Sequence, residues 1–460
     1  MFHFIYFTLS LACKDSKTED TERFDYPDIW GMNVLEDINP DPDIVEVNLE
    51  AYVTTKMIGD KEVPNVWTYN GQTPGPLLQA KKGDTVIVNF SNYIEHPTTI
   101  HWHGLRIPDD MDGTPAVQNP IQYEETFVYE YVVPDAGSYW YHPHMRSPEA
   151  VERGLQGAIV IHDPKDPVVA KERYFVLDDI FLNSFGLMGS FEMNRPQSVH
   201  GRFGNTLLAN GQNIFVEPLT DSVRPATVER WRVVNTANAR TMWIGVTGAS
   251  WRIIAIDGTT LETPFTPEKA TLPVGRRFDI EVLADPNEEN VELQIYLPND
   301  TGTFDDFTAF TGTIEGEEGD NNWLDWNTIP LPTASLPVEQ EVTLEFDGYI
   351  DNDGLATWTI NGVPFDEAEP IVVQGNTPST IRVIDKAGAE HPYHLHGDFF
   401  QVLERSSGEM IPGQMDSILL EPDEEILIWT NFSNPGRWMS HCHILEHAER
   451  GLMHEFIVQE

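Results

Sequence analysis

The sequence predicts an all-β protein built as three successive β-sandwich domains. From Ile44 onward, short runs rich in Val, Ile, Tyr, Phe and Thr alternate with clusters of Gly, Pro, Asn and Asp. That is the pattern of strands joined by turns. The middle third of the chain likewise shows short strands with turns and no long amphipathic helix pattern. Gly and Pro each occur 33 times in 460 residues, and 11% of the residues are aromatic. This balance suits turn-rich β structure, and the length exceeds what a single core serves.

Residues 1–43 read as an export signal and an acidic linker. The apolar run MFHFIYFTLSLA is too short to span a membrane. It ends at a small residue before Cys13, the arrangement of a bacterial lipoprotein signal, although no Lys or Arg precedes it. The expectation is an exported protein, periplasmic or outer-membrane-associated, with a possible lipid anchor on Cys13. Residues 14–42 are polar, acidic and dotted with Pro, as linkers are.

The first domain is placed at 44–164, from IVEVNLEAYV to GAIVIHD. The second, 165–332, runs from RYFVLDDIFL through VERWRVVNTANAR to VELQIYLPN and then an acidic, Pro-bearing linker at 314–336. It holds no Cys and no His-x-His, so it is expected to bind no metal. The third, 333–460, contains TWTINGVPF, STIRVIDKAG and EEILIWTNFS. Asn-Gly recurs at 70, 210 and 361, once in each block, and hints at a triplicated unit.

The formal net charge of −46 argues against a nucleic-acid partner, because phosphate would be repelled. It describes a solvated surface before it describes a function.

The chemistry concentrates in four short segments. Ten of the fifteen histidines lie in His101-Trp102-His103, His142-Pro143-His144, His391-Pro392-Tyr393-His394-Leu395-His396 and His441-Cys442-His443 with His447. In an extended chain an i, i+2 pair projects from one face. His441 and His443 therefore point one way and Cys442 the other. A thiolate with two imidazoles suits a trigonal blue-copper site, and Cys with His also suits zinc. Two clusters lie in the first block and two in the third, so an interface between those blocks is where they meet. His3, His96, His162, His200 and His454 read as non-ligands, with His200 in a loop. Met111, Met410 and Met415 are scattered and read as packing. The cysteines, Cys13 and Cys442, leave the redox compartment open.

These four motifs, in this order over three β domains, resemble the multicopper oxidase family, in particular its bacterial laccase-like members. The resemblance covers about residues 44–460. It implies three cupredoxin-like Greek-key β-sandwiches and four copper ions. Type 1 copper would be held by His391, Cys442 and His447, and type 2 by His101 and His394. The type 3 pair would be held by His103, His142, His144, His396, His441 and His443. It also implies a small reducing substrate, phenols or aromatic amines by default, and dioxygen as acceptor. Electrons would enter at His447, taken as the solvent-facing ligand, and pass through Cys442. Metal-ion oxidation of Cu(I), Mn(II) or Fe(II), or a copper-binding envelope protein without turnover, are the alternatives.

Two positions depart from the family pattern. The usual axial Met is Leu452 here, a non-ligating residue that should raise the type 1 potential; Met453, next to it, is out of phase in an extended segment, the alternative being a one-residue slip that lets Met453 ligate. The carboxylate some relatives carry after the second type 1 His is Ala448. Asp112 is then the candidate for proton relay to the cluster or for orienting its imidazoles, the plainer reading being a turn Asp before Gly113.

Overall fold

The computed structural model describes residues 23–328, 337–408 and 410–460. The export segment and Cys13 lie outside the described residues. Almost all regular structure is strand, arranged as three cupredoxin-like sandwiches. In the first, strands 61–69, 44–58, 85–93 and 126–132 form one sheet, and 75–81, 157–162, 137–142 and 101–103 the other. The strand Ile44–Ile58 alternates buried and outward residues over its first half, as a sheet with one solvated face requires. The third sandwich pairs a six-stranded sheet built around Gln340–Ile350 and Ser379–Asp385 with a five-stranded sheet holding His391–Leu395 and Gly436–Cys442. The second sandwich lies between them in sequence, with eight- and five-stranded sheets.

The Asn-Gly repeat has a physical explanation. In each sandwich the opening strand runs parallel to a later strand and antiparallel to its hairpin partner: 44–58 with 85–93 and 61–69, 172–180 with 228–235 and 206–209, 340–350 with 379–385 and 356–360. Asn70-Gly71, Asn210-Gly211 and Asn361-Gly362 follow the hairpin partner, and all six residues have positive φ, the conformation Asn-Gly turns favour. Each Asn amide then clamps the opening strand. Asn70 accepts from Glu50 N–H and donates to the Asn48 carbonyl. Asn210 does so with Val176 and Tyr174, and Asn361 with Glu345 and Thr343.

Three local expectations are corrected. The described part of the N-terminal linker is packed: Ile29–Trp30 adds a short parallel strand to Glu172–Ile180, and Ile29 is buried. The described part of the 314–336 linker is anchored at Trp326 too. Trp326 is buried, its indole donating to Glu281 at 2.8 Å. Aromatic residues within these acidic stretches override the composition. Lastly, His200 ends a short helix, Arg195–His200, instead of lying in a loop. Pro196 suits its first turn, and Asn194 caps it by accepting from Gln197 N–H. This helix and two others, Ser147–Glu152 and Leu445–Glu449, come one from each sandwich and pack around the turn after Cys442.

Candidate metal centre

Two sites flank the strand Gly436–Cys442. On one face, the Cys442 sulfur lies 3.7 Å from His447 Nδ1, which lies 3.3 Å from His391 Nδ1. All three side chains are almost fully buried. Burial pushes the Cys442 thiol up, and holds His447 well below the usual imidazole range. A neutral imidazole and a thiol that surrenders its proton to a cation are what a soft metal site needs. Leu452 is fully buried in the turn, donating its N–H to the His447 carbonyl and accepting from Cys442 N–H at 3.1 Å. Met453 pairs across the strands with His441 and lines a 320 Å³ cavity with it. It therefore sits on the His441 face of the strand, away from the sulfur.

On the other face eight imidazoles converge from four strands or strand ends. His101 pairs with His142 in one sheet and His394 with His441 in another. The sandwiches bring these sheets together, stacking His101 on His396 with centroids 3.9 Å apart and His103 on His394 at 3.8 Å. Candidate ligand atoms of His101, His394 and His396, and of His144, His396 and His441, lie within 4.8 Å of one another. Burial, with repulsion from neighbouring rings, holds His103, His142, His144, His394, His396 and His443 well below the normal range, and burial brings His441 to about 4.

The hydrogen bonding of these rings fits metal ions. His101 donates from Nδ1 to the Asp112 carbonyl, His394 to the Asp416 carbonyl and His441 to the Cys442 carbonyl, at 2.8–2.9 Å. The opposite nitrogens of His101, His142, His144 and His394 are buried without a partner. His396 Nε2 faces His441 Nε2 at 3.0 Å, and His443 Nε2 faces His103 Nδ1 at 3.3 Å. Buried nitrogens aimed into a shared space and left unpaired are costly in a protein alone and satisfied by a cation.

Asp112 is buried beside both stacked rings. Its carboxylate accepts from His396 Nδ1 at 2.9 Å while its carbonyl accepts from His101. It thus orients two imidazoles from different sandwiches.

The second sandwich, which contributes none of these histidines, supports the cluster by another route. Arg277 donates twice to Asp416 at 2.7 Å, and Asp257 accepts from the backbone of Arg277 and Ser417. Asp416 lies 3.3 Å from His103, and burial raises its pKa above the usual carboxylate range against the pull of Arg277. Sequence reasoning missed Asp257, Arg277 and Asp416. The available signal was a lone Asp in the apolar run QMDSILL and the pair Arg276-Arg277 opening a strand.

One placement differs from expectation. His447 is 1% exposed, not solvent-facing. Its Nε2 donates to the Val199 carbonyl at 3.1 Å, and Trp358 covers its face with centroids 4.1 Å apart. The helix Arg195–His200 reaches this position because Gly201 follows it: a Cβ there would meet Ala239 at 2.3 Å and Ile444 at 2.7 Å.

A sulfur-and-imidazole site joined by one tripeptide to a histidine cluster defines a copper protein built to move electrons between two centres. Comparison with known proteins names the class. Three profiles described as multicopper oxidase match residues 51–166, 177–311 and 320–460. A multicopper oxidase of Staphylococcus aureus is 30% identical over 413 residues, 85% of this chain and 83% of its own. Among solved structures, a multi-copper oxidase from Pseudomonas thermotolerans is 29% identical, with a TM-score of 0.79 over 90% of this chain and 99% of its own. A multicopper oxidase from Campylobacter jejuni, described as a metallo-oxidase, is 25% identical, with a TM-score of 0.82 over 98% and 99%. The chain belongs to the multicopper oxidase family. It is a copper-dependent oxidoreductase that uses dioxygen and small reducing substrates.

Proposed function

We propose that the protein is a laccase-like oxidase. It couples one-electron oxidation of phenols or aromatic amines to the four-electron reduction of dioxygen to two waters. The observation that carries the reading is the tripeptide His441-Cys442-His443, which links the sulfur site to the imidazole cluster by a single stretch of backbone. Bound copper supplies the one-electron redox chemistry and the reduction of dioxygen. We assign His391, Cys442 and His447 to type 1 copper, with Leu452 as the non-ligating axial residue. We assign His101 and His394 to type 2, and His103, His142, His144, His396, His441 and His443 to the type 3 pair. Cys442 gives the electron its covalent route. Asp112 orients His101 and His396 and passes protons toward the cluster, as a buried carboxylate touching two such rings can.

The donor class is supported by the cavity above His447. It measures about 200 Å³ and is lined by Val199, Tyr349, Ile350, Ala356 and Trp358, with Asp347 as its one carboxylate. That suits a small aromatic better than a metal ion, which prefers several oxygen or sulfur ligands. Metal-ion oxidation is favoured by a neighbouring 430 Å³ cavity lined by Asp351, Asp366, Glu367, Glu449 and Met453. Oxygen uptake on copper-loaded protein, with 2,6-dimethoxyphenol against cuprous ion, separates the two. The same sample should show an intense blue thiolate band and about four coppers per chain, as these ligand sets require. A colourless, copper-binding protein would remove Cys442 from the type 1 site.

Export, with a lipid on Cys13, is proposed from residues 1–13 alone. Mass spectrometry of mature protein from a membrane fraction tests it; an intact N-terminal Met1 would overturn it.

A further inference from the structure

The type 1 ligands offer a donor almost no surface of their own. His391 and Cys442 are fully buried and His447 is 1% exposed, with Nε2 engaged by the Val199 carbonyl. Among the described residues, Val199 and Trp358 both touch His447 and line a surface cavity, and Trp358 is the one that does so with an aromatic ring. Trp358 lies over His447 at 4.1 Å with rings inclined by 34°, and meets His391 edge-on at 5.1 Å. Its indole N–H donates to the Ser198 carbonyl at 2.8 Å, and its backbone N–H to Arg450 at 2.9 Å. The indole is thus held by the helix that covers the site, and its backbone by the turn that carries His447. Its outer edge lines the 200 Å³ cavity, whose rim is Val199, Tyr349, Asp347 and Lys386.

We propose that Trp358 is the electron-entry residue. A phenol or aromatic amine docks in the cavity between Val199 and Tyr349 against the indole, and the electron crosses the indole to His447. This rests on the aromatic-donor reading above. One electron leaves a phenol and is accepted at the type 1 site, the phenolic proton goes to bulk water, and a phenoxyl radical departs. The indole is neither oxidised nor reduced in net terms; it supplies π contact where no direct approach exists. Dioxygen, the acceptor of the known reaction, is the final oxidant.

Trp358→Leu and Trp358→Phe test this in copper-loaded protein. Both should keep the blue band and the type 1 potential, because the indole is not a ligand. Anaerobic reduction of the blue band by 2,6-dimethoxyphenol should slow by more than about tenfold in Trp358→Leu, one decade on the rate scale, and stay near native in Trp358→Phe. In copper-free protein, which cannot oxidise the probe, ¹⁹F NMR should show 4-fluorophenol binding about two- to twelvefold more weakly to Trp358→Leu, the factor an aromatic pair carries. Tyr349 is 54% exposed, so Tyr349→Ala guards against misfolding; it should raise the KM for the phenol and leave the blue band unchanged. Reduction of Trp358→Leu as fast as native, or an unchanged KM in Tyr349→Ala, would overturn the proposal. A native protein that oxidises cuprous ion and no phenol would instead overturn the donor class; Trp358→Leu assayed with cuprous ion would then still decide whether electrons enter through the indole.

Discussion

Replacing Asp112 by Asn isolates the oxygen-reducing half of the reaction. The carboxylate holds His396 through one hydrogen bond of 2.9 Å and lies 3.2 Å from His101 Nδ1. The Asp112 carbonyl, which also fixes His101, survives the substitution. Asn keeps an oxygen able to accept from His396 but carries no charge, so the loss is the charge assistance to that bond, about 1–1.5 kcal/mol as the difference between charged and neutral hydrogen bonds. At about 1.4 kcal/mol per decade this predicts roughly a 5- to 12-fold slower dioxygen step, toward the lower end of the ~10–100-fold typical of groups that orient metal-bound histidines. Asp112 does not reach His391, Cys442 or His447, so the blue band and its anaerobic reduction should be unchanged. Stopped-flow reoxidation of fully reduced protein by dioxygen, set beside that anaerobic reduction, reads the two halves separately. Equal slowing of both, or unchanged reoxidation, would refute the reasoning.

Three more expectations follow from the same geometry. Leu452→Met should lower the type 1 potential in a redox titration, since an axial thioether tunes such sites; an unchanged potential would count against Leu452 as the axial residue. Arg277→Met should leave Asp416 buried and uncompensated, destabilising the protein by about 3–5 kcal/mol; chemical denaturation within experimental error of the parent would contradict that. In copper-free protein, His103, His142, His144, His394, His396 and His443 stay neutral well below the usual 6.5 and His441 down to about 4, while the unfolded chain takes up protons from 6.5 downward. The unfolded state then binds more protons, so stability should fall as pH drops from about 6.5 toward 4, by up to ~1.4 kcal/mol per pH unit for each histidine. Urea midpoints that stay flat across that window would exclude it.

Strand periodicity and turn chemistry are local, and they were legible. The i, i+2 spacing of His101 with His103 and of His441 with His443 needs only the two-residue period of an extended chain. The Asn-Gly turns at 70, 210 and 361 need only positive φ at two successive residues. Acidic composition misled at Ile29, Trp30 and Trp326, where one isoleucine and two tryptophans, Trp30 only partly buried, pack onto structure that composition does not reveal.

The sequence by itself therefore determined the sandwich repeat and the inventory of sulfur and imidazole. Only the tertiary structure decided which nitrogen of each ring is free, that Asp112 reaches His396 across 284 positions, and that Arg277 of the second sandwich, which gives no histidine to the cluster, backs Asp416. It also decided that Val199 and Trp358 close over His447. The physical reason is that backbone periodicity sets the face on which a side chain lies, whereas the atom it meets there is set by how separate sheets pack.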